Sequence, residues 1–146
     1  MASINRESIN ERLDYIKEQE ESLQALVDAG ELDEELGRGV GFNGVVRMLQ
    51  TSIEAMIEIA YHLSAKLYAI APDNSRHAFE ILWERGDIPD DFIVIARRMV
   101  GFRNIVVHGY LKKNIELVKE TVINHLSDFD TWEQLVADIV AKKVRG

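Results

Sequence analysis

Residues 42–71 read FNGVVRMLQTSIEAMIEIAYHLSAKLYAIA. Within them Leu49, Ile53, Met56, Ile57, Ala60, Leu63, Leu67 and Ile70 recur mostly three or four residues apart, which is the period of one face of an α-helix. Glu54, Glu58, His62 and Lys66 fall between them at four-residue spacing and read as the polar face of the same helix. Pro72 lacks the N–H that another turn would need and closes the segment. A helix of this length sets the fold class, because its apolar face must be covered by other elements.

Those elements are helical too. Ile9, Leu13, Ile16, Leu23 and Leu26 mark a first amphipathic helix at about residues 5–27, and Gly30, Gly37, Gly39 and Gly41 make residues 28–41 read as a loop. The Asp73-Asn74-Ser75 cap predicts a short third helix carrying Phe79, Leu82 and Trp83 up to Gly86. A fourth helix starts near residues 87–89 and ends at His108, since Gly109 suits the position just past a helix end. Asn114 caps a fifth, with Val118, Val122, Leu126, Phe129, Leu135 and Ile139 apolar on the way to about Lys143. With no strand-like alternation and no repeats, the expectation is an all-α single domain over residues 1–146: an antiparallel bundle of four long helices plus one short helix.

Composition narrows the function classes. The chain has 146 residues, 47% of them hydrophobic, and no cysteine, which removes disulfide frameworks, zinc ribbons and thiolate chemistry. No apolar run approaches a membrane span and the first residues lack a basic-then-apolar leader, so the expected setting is soluble and cytoplasmic, with no membrane partner. A net charge of −8 taken alone speaks against nucleic acid, yet residues 1–36 hold eleven acids against three bases and carry the whole excess. Residues 97–113 contain Arg97, Arg98, Arg103, Lys112 and Lys113 and no acid at all.

The fourth helix carries its chemistry inside that basic stretch. Phe92, Ala96, Met99, Val106 and Val107 define an apolar face, and at about 100° per residue Arg103 falls within it. A guanidinium keeps its charge, so Arg103 needs either a carboxylate partner or a wet cleft. His108 sits at the negative end of the helix dipole, which favours an imidazolium, and a histidine there can act as acid or base near neutral pH. Asn104, one turn earlier, can orient the ring, and Tyr110 can point the same way if the chain runs extended past Gly109. Five residues rotate a regular helix by about 500°, leaving Arg103 and His108 about 140° apart. Local unwinding, a long reach by the arginine, or a two-fold dimer would bring them together.

The stretch Gly101-Phe102-Arg103-Asn104-Ile105-Val106-Val107-His108-Gly109-Tyr110 resembles the signature of the HEPN superfamily in its HepT-like toxin branch: an arginine, a polar residue, a histidine after four intervening residues, and a tyrosine two further on. Leu49-Gln50, Ile53-Glu54-Ala55, Ile59-Ala60 and His62 are similar to the family's second helix, and the resemblance covers about residues 46–129. It implies a homodimeric, metal-independent endoribonuclease without cofactor, the toxin of a type VII-like toxin–antitoxin pair. By that resemblance the 2′-hydroxyl of RNA would attack the adjacent phosphate, with His108 as general acid/base, Arg103 stabilising the phosphate and Asn104 supporting. The implied antitoxin is a minimal, MntA-like nucleotidyltransferase that adenylylates Tyr110. Arg97, Arg98, Lys112 and Lys113 flank the motif and are read as RNA-binding.

Other readings stay open at this level. A catalytically silent HEPN-like adaptor for a nucleotidyltransferase would share the same pattern. The acidic first helix either contacts the antitoxin, repels RNA, or is a solvated face. Glu54, Glu58 and His62 make a poor metal site, because Lys66 continues the stripe and no Glu-x-x-His pair accompanies it. His77 and His125 read as surface or packing residues, and Trp83 and Trp132 as core or interface anchors.

Overall fold

The computed structural model describes residues 3–109 and 111–143. Among these the chain forms α1 (Arg6–Asp28), α2 (Leu32–Leu36), α3 (Gly39–Tyr68), α4 (Ser75–Glu84), α5 (Asp90–Val107), α6 (Ile115–His125) and α7 (Ser127–Lys143), with no strand. The all-α expectation holds, and every helix contributes to one buried apolar cluster. The cluster is centred on α3, where Leu49, Ile53, Met56, Ile59, Ala60 and Leu63 are almost completely buried. Ile9, Ile16 and Leu23, seven residues apart on α1, are buried with them. Trp132 of α7 is fully buried, stacked on Phe92 of α5 at 5.7 Å and edge-on to Phe79 of α4 at 5.3 Å.

Three boundaries differ from the sequence expectation, each for a local reason. The glycine-marked loop at residues 28–41 contains α2, whose Leu32 and Leu36 are buried one turn apart while Asp33, Glu34 and Glu35 occupy the first turn, where the helix dipole favours acids. The long helix starts at Gly39 rather than Phe42 and stops at Tyr68, three residues short of Ala71. Ala69 takes a left-handed conformation (φ 54°) and its N–H bonds back to the Ala65 carbonyl, ending the helix before Pro72 is reached. The expected fifth helix is two, broken at Leu126; Asp128 and Asp130 mark a new first turn. The apolar stripe continues across the break through Val122, Leu126, Phe129 and Trp132, so periodicity alone could not show it. The Asn74 and Asn114 caps form as expected, accepting from the backbone N–H of His77 and Leu117.

The acidic first segment is built into the fold by polar ties. Arg12 pairs with Glu58 of α3 at 2.6 Å, Lys17 with Asp130 of α7 at 3.1 Å, and Asp33 of α2 with Lys119 of α6 at 2.8 Å. Tyr15 donates to Thr51 at 2.7 Å. Burial, aided by Lys66 and Arg12, lowers the pKa of His62, and its Nε2 accepts the Asn5 backbone N–H at 3.0 Å. Glu58 and His62 of the polar stripe are thus engaged by α1 and its cap. No three His, Asp or Glu side chains gather as a metal-binding group among the described residues. Nor is any helix among them long and apolar enough to cross a membrane.

Two consequences are measurable. A Cβ on Gly41 would collide with the backbone carbonyl of Glu35 and sit 2.5 Å from its carboxylate, so α3 can approach α2 only with glycine there. Gly41→Ala is expected to lower stability by about 1–3 kcal/mol in urea denaturation. Glu20 is largely covered and lies beside Asp130; burial first, and then the hydrogen bond and charge of Asp130, push its carboxyl from 4.5 up to about 7, against the pull of Lys17. The folded state therefore holds this proton more tightly than the unfolded one. Its contribution is full below about pH 4.5 and is lost as pH rises through about 7. Glu20→Gln should raise the melting temperature at pH 8 and leave it nearly unchanged at pH 4.5; an equal shift at both would contradict this origin.

Candidate functional site

α5 is positioned by its buried side. Asp90 and Asp91 fill its first turn, and Phe92, Ile93, Ala96, Met99, Val100 and Phe102 are buried. The buried face is rotated from the one expected: Val106 is half-buried and Val107 is 53% exposed. Arg103 consequently lies at the edge of the core, half-buried, in a cleft of about 450 Å³ lined by Tyr61 of α3, the Asn74–Arg76 start of α4, and Val100 and Asn104 of α5. Of the two environments open to this guanidinium, it occupies the wet cleft. No carboxylate comes within ion-pair distance of it among the described residues. Its Nη2 donates to Ser75 Oγ at 2.7 Å and its Nε to Asn104 Oδ1 at 3.0 Å.

His108 caps the same helix. It is exposed, in αR geometry, with its backbone N–H on the Asn104 carbonyl at 3.0 Å, and Gly109 follows at φ 76° as the helix stop. α5 runs unbroken from Arg103 to Val107, so local unwinding does not bring the pair together. The Asn104 side-chain oxygen is turned to Arg103, and Arg103 is turned toward α4. Within one chain positions 103 and 108 keep the backbone angular separation of a regular helix, about 140°. Tyr110 lies outside the described residues.

The basic stretch divides in space. Arg97 lies over the Trp83 ring at 5.3 Å with its Nε 3.9 Å from Glu80, and Arg98 pairs with Asp128 at 2.5 Å. Asp128 also sits 3.3 Å from His125 Nδ1, and Trp83 donates to Asp90 at 2.8 Å. Lys112 and Lys113 are exposed, without ion pairs among the described residues, and both adopt left-handed backbone (φ 46° and 55°). Two consecutive non-glycine residues in that region cost about 1–2 kcal/mol each, a strain held next to the motif. Two residues that the sequence pattern did not single out join Arg103: Ser75, noted only as part of a cap, and Arg76. The linear signal for them is absent, since only the packing of α4 against α5 brings residues 75 and 103 together. A separate apolar cavity of about 220 Å³, bounded by Ile53, Met99, Phe102, Ile105, Leu117 and Phe129, includes neither motif side chain.

Comparison with known proteins identifies the family of the fold. The family profile described as "Ribonuclease HepT-like" matches residues 12–134. The mRNA nuclease HepT of Shewanella oneidensis is 33% identical over 94 residues, 64% of this chain and 71% of that protein. A tri-AMPylated Shewanella oneidensis HEPN toxin, solved in complex with its MNT antitoxin, superposes with a TM-score of 0.80 at 27% identity over 90% of this chain and 97% of that one. A mutant MntA–HepT toxin–antitoxin structure gives the same TM-score and identity over 91% and 99%. The all-α fold is that of the HEPN toxin on which the chain superposes. The chain belongs to the HepT-like ribonuclease family. The match reaches back to Arg12, so most of acidic α1 lies within the family's fold, beyond the 46–129 stretch read from the sequence.

Proposed function

We propose that this chain, acting as one HEPN-like domain in the cytoplasm, is a metal-independent endoribonuclease toxin, held in check by an MntA-like nucleotidyltransferase antitoxin that adenylylates Tyr110. The observation that carries the reading is Arg103: a cation in a polar cleft, hydrogen-bonded only to neutral groups among the described residues, on a HepT-family fold. Such a guanidinium is available to a phosphate. In the proposed reaction the 2′-hydroxyl gives its proton to a base as its oxygen bonds to phosphorus. The bond from phosphorus to the 5′-oxygen breaks, and that oxygen takes a proton from an acid. The products are a 2′,3′-cyclic phosphate and a 5′-hydroxyl. His108 serves as acid or base, Arg103 stabilises the charge on the five-coordinate phosphorus, and Asn104 holds the Arg103 Nε.

Because one helix cannot aim both side chains at one phosphate, the reading includes a two-fold dimer in which Arg103 faces His108 of the partner subunit across a groove. Lys112 and Lys113 would hold phosphates beside the cut, and Arg97 and Arg98 add to the field while bound to Glu80 and Asp128. The tri-AMPylated state of the structural relative supports the antitoxin role, since nucleotides on Tyr110, two residues from His108, would obstruct RNA.

Purified protein incubated with single-stranded RNA in EDTA should cleave it. Arg103→Ala and His108→Ala should each lose about 10²–10³-fold in rate. Mixing the two inactive variants under subunit exchange should restore part of the activity, because a heterodimer contains one intact pairing. Cleavage surviving in both variants, or appearing only with added divalent metal, sinks the mechanism. Absence of cleavage by wild type together with tight binding of a nucleotidyltransferase would support the adaptor reading instead. With that enzyme and ATP, mass spectrometry should place adenylyl groups on Tyr110 and find none on Tyr110→Phe; modification elsewhere overturns the assignment.

A further inference from the structure

The cleft around Arg103 has a second wall that comes from a different part of the sequence. Ser75 is the first residue of the ten-residue helix α4, preceded by Asn74, whose side chain is committed to the His77 backbone N–H at 2.8 Å. His77 Nδ1 accepts the Asp73 backbone N–H at 2.9 Å, and the Asp73 carboxylate is exposed to solvent, 3.6 Å from the same ring nitrogen. Ser75 Oγ accepts the Arg103 Nη2 at 2.7 Å. Arg76 lines the same cleft, is exposed, and makes no hydrogen bond or ion pair among the described residues.

We propose that the first turn of α4 completes the RNA site: Ser75 is a positioning residue for Arg103, and Arg76 is a second phosphate-binding cation on the opposite wall. The proposal rests on the reading of Arg103 as the group that stabilises the reacting phosphate. A guanidinium has five N–H donors in one plane. Asn104 takes the Nε hydrogen and Ser75 one Nη2 hydrogen, which fixes the plane along one edge. One Nη1 hydrogen and the other Nη2 hydrogen form the adjoining edge, the fork that meets two oxygens of a phosphate in parallel. An arginine held at only one point would have to find this orientation at each turnover. Two anchors, one from its own helix and one from α4, order it before RNA arrives.

Arg76 has a different role. Its side chain is long, exposed and not anchored by another protein group, so it gives a phosphate contact that follows the backbone rather than the reacting bond. Its contribution should register as affinity and salt dependence. The sequence places Arg76 far from the acid-free stretch, yet Arg97 and Arg98 of that stretch are bound to carboxylates while Arg76 is not.

The experiment uses the full-length protein and a single-stranded RNA with one cleavable site, in EDTA, measuring kcat, KM, melting temperature and the salt dependence of binding. Ser75→Ala should lower kcat about tenfold with KM and melting temperature nearly unchanged, and Ser75→Thr, which keeps the acceptor, should recover most of the loss. Ser75→Cys, similar in size with a poorer acceptor, carries the same expectation as alanine if the alanine variant fails to fold. Arg76→Gln should raise KM, leave kcat intact and reduce the slope of log affinity against log salt by about one. Wild-type kcat in Ser75→Ala or Ser75→Cys, or a deficit that threonine does not repair, overturns the positioning role. An unchanged KM and salt slope in Arg76→Gln overturns the phosphate contact. Arg103→Ala separates the two levels: if it is inactive while the α4 variants cut normally, only this inference fails, and if it still cleaves, the underlying reading of Arg103 fails with it.

Discussion

The rotational setting of α5 governs what this protein can do. Phe92 near its start stacks on the buried Trp132, and Ala96, Met99 and Val100 continue that contact into the core beside α3 and α4. A helix clamped along one face has a single phase, and each later residue inherits its direction from that phase, about 100° per step. Arg103 is thereby delivered to the core's edge, where its charge can stay solvated while its stem is covered. His108, five steps on, is delivered elsewhere. The separation of about 140° follows from an unbroken helix and is independent of side-chain choice. Convergence on one phosphate, as the proposed activity needs, calls for a second surface, which a two-fold assembly would supply.

Much of the helical architecture is legible in the sequence because burial on α3, α1 and the start of α5 repeats at the helical period. Leu49, Ile53, Met56, Ala60 and Leu63 were marked by spacing and are buried by packing. What escaped were features that periodicity cannot encode. The break at Leu126 lies in an uninterrupted apolar stripe. The helix at Leu32–Leu36 lies among glycines that normally signal a loop, and one of them, Gly41, is needed for close approach of two helices rather than for a turn. At the site, the motif residues were visible because they are adjacent in sequence and carry a family's spacing. Ser75 was invisible for the opposite reason: its partner is 28 residues away, and a serine beside a capping asparagine already has a sufficient local explanation.

The charge distribution changes in the same way when it is folded. In the sequence, residues 97–113 are the basic region and residues 1–36 the acidic one. In space, Glu80 and Asp128 occupy Arg97 and Arg98, whereas acids or bases of the first two helices reach α3, α6 and α7 through Arg12–Glu58, Asp33–Lys119 and Lys17–Asp130. Opposite charges are therefore distributed through the bundle as pairs, and the cations that remain without carboxylate partners near the motif are Arg103, Arg76, Lys112 and Lys113 among the described residues. Salt screens exposed charges beyond about 8 Å at physiological ionic strength, so a phosphate entering the Arg103 cleft responds to those few groups far more than to the net charge of −8. A strongly acidic chain can thus present a local cationic site. On the proposed reading the acid excess acts where its own carboxylates lie, within the same short screening distance, so it disfavours nucleic acid on those surfaces and leaves the cleft as the place where an RNA phosphate would gain most.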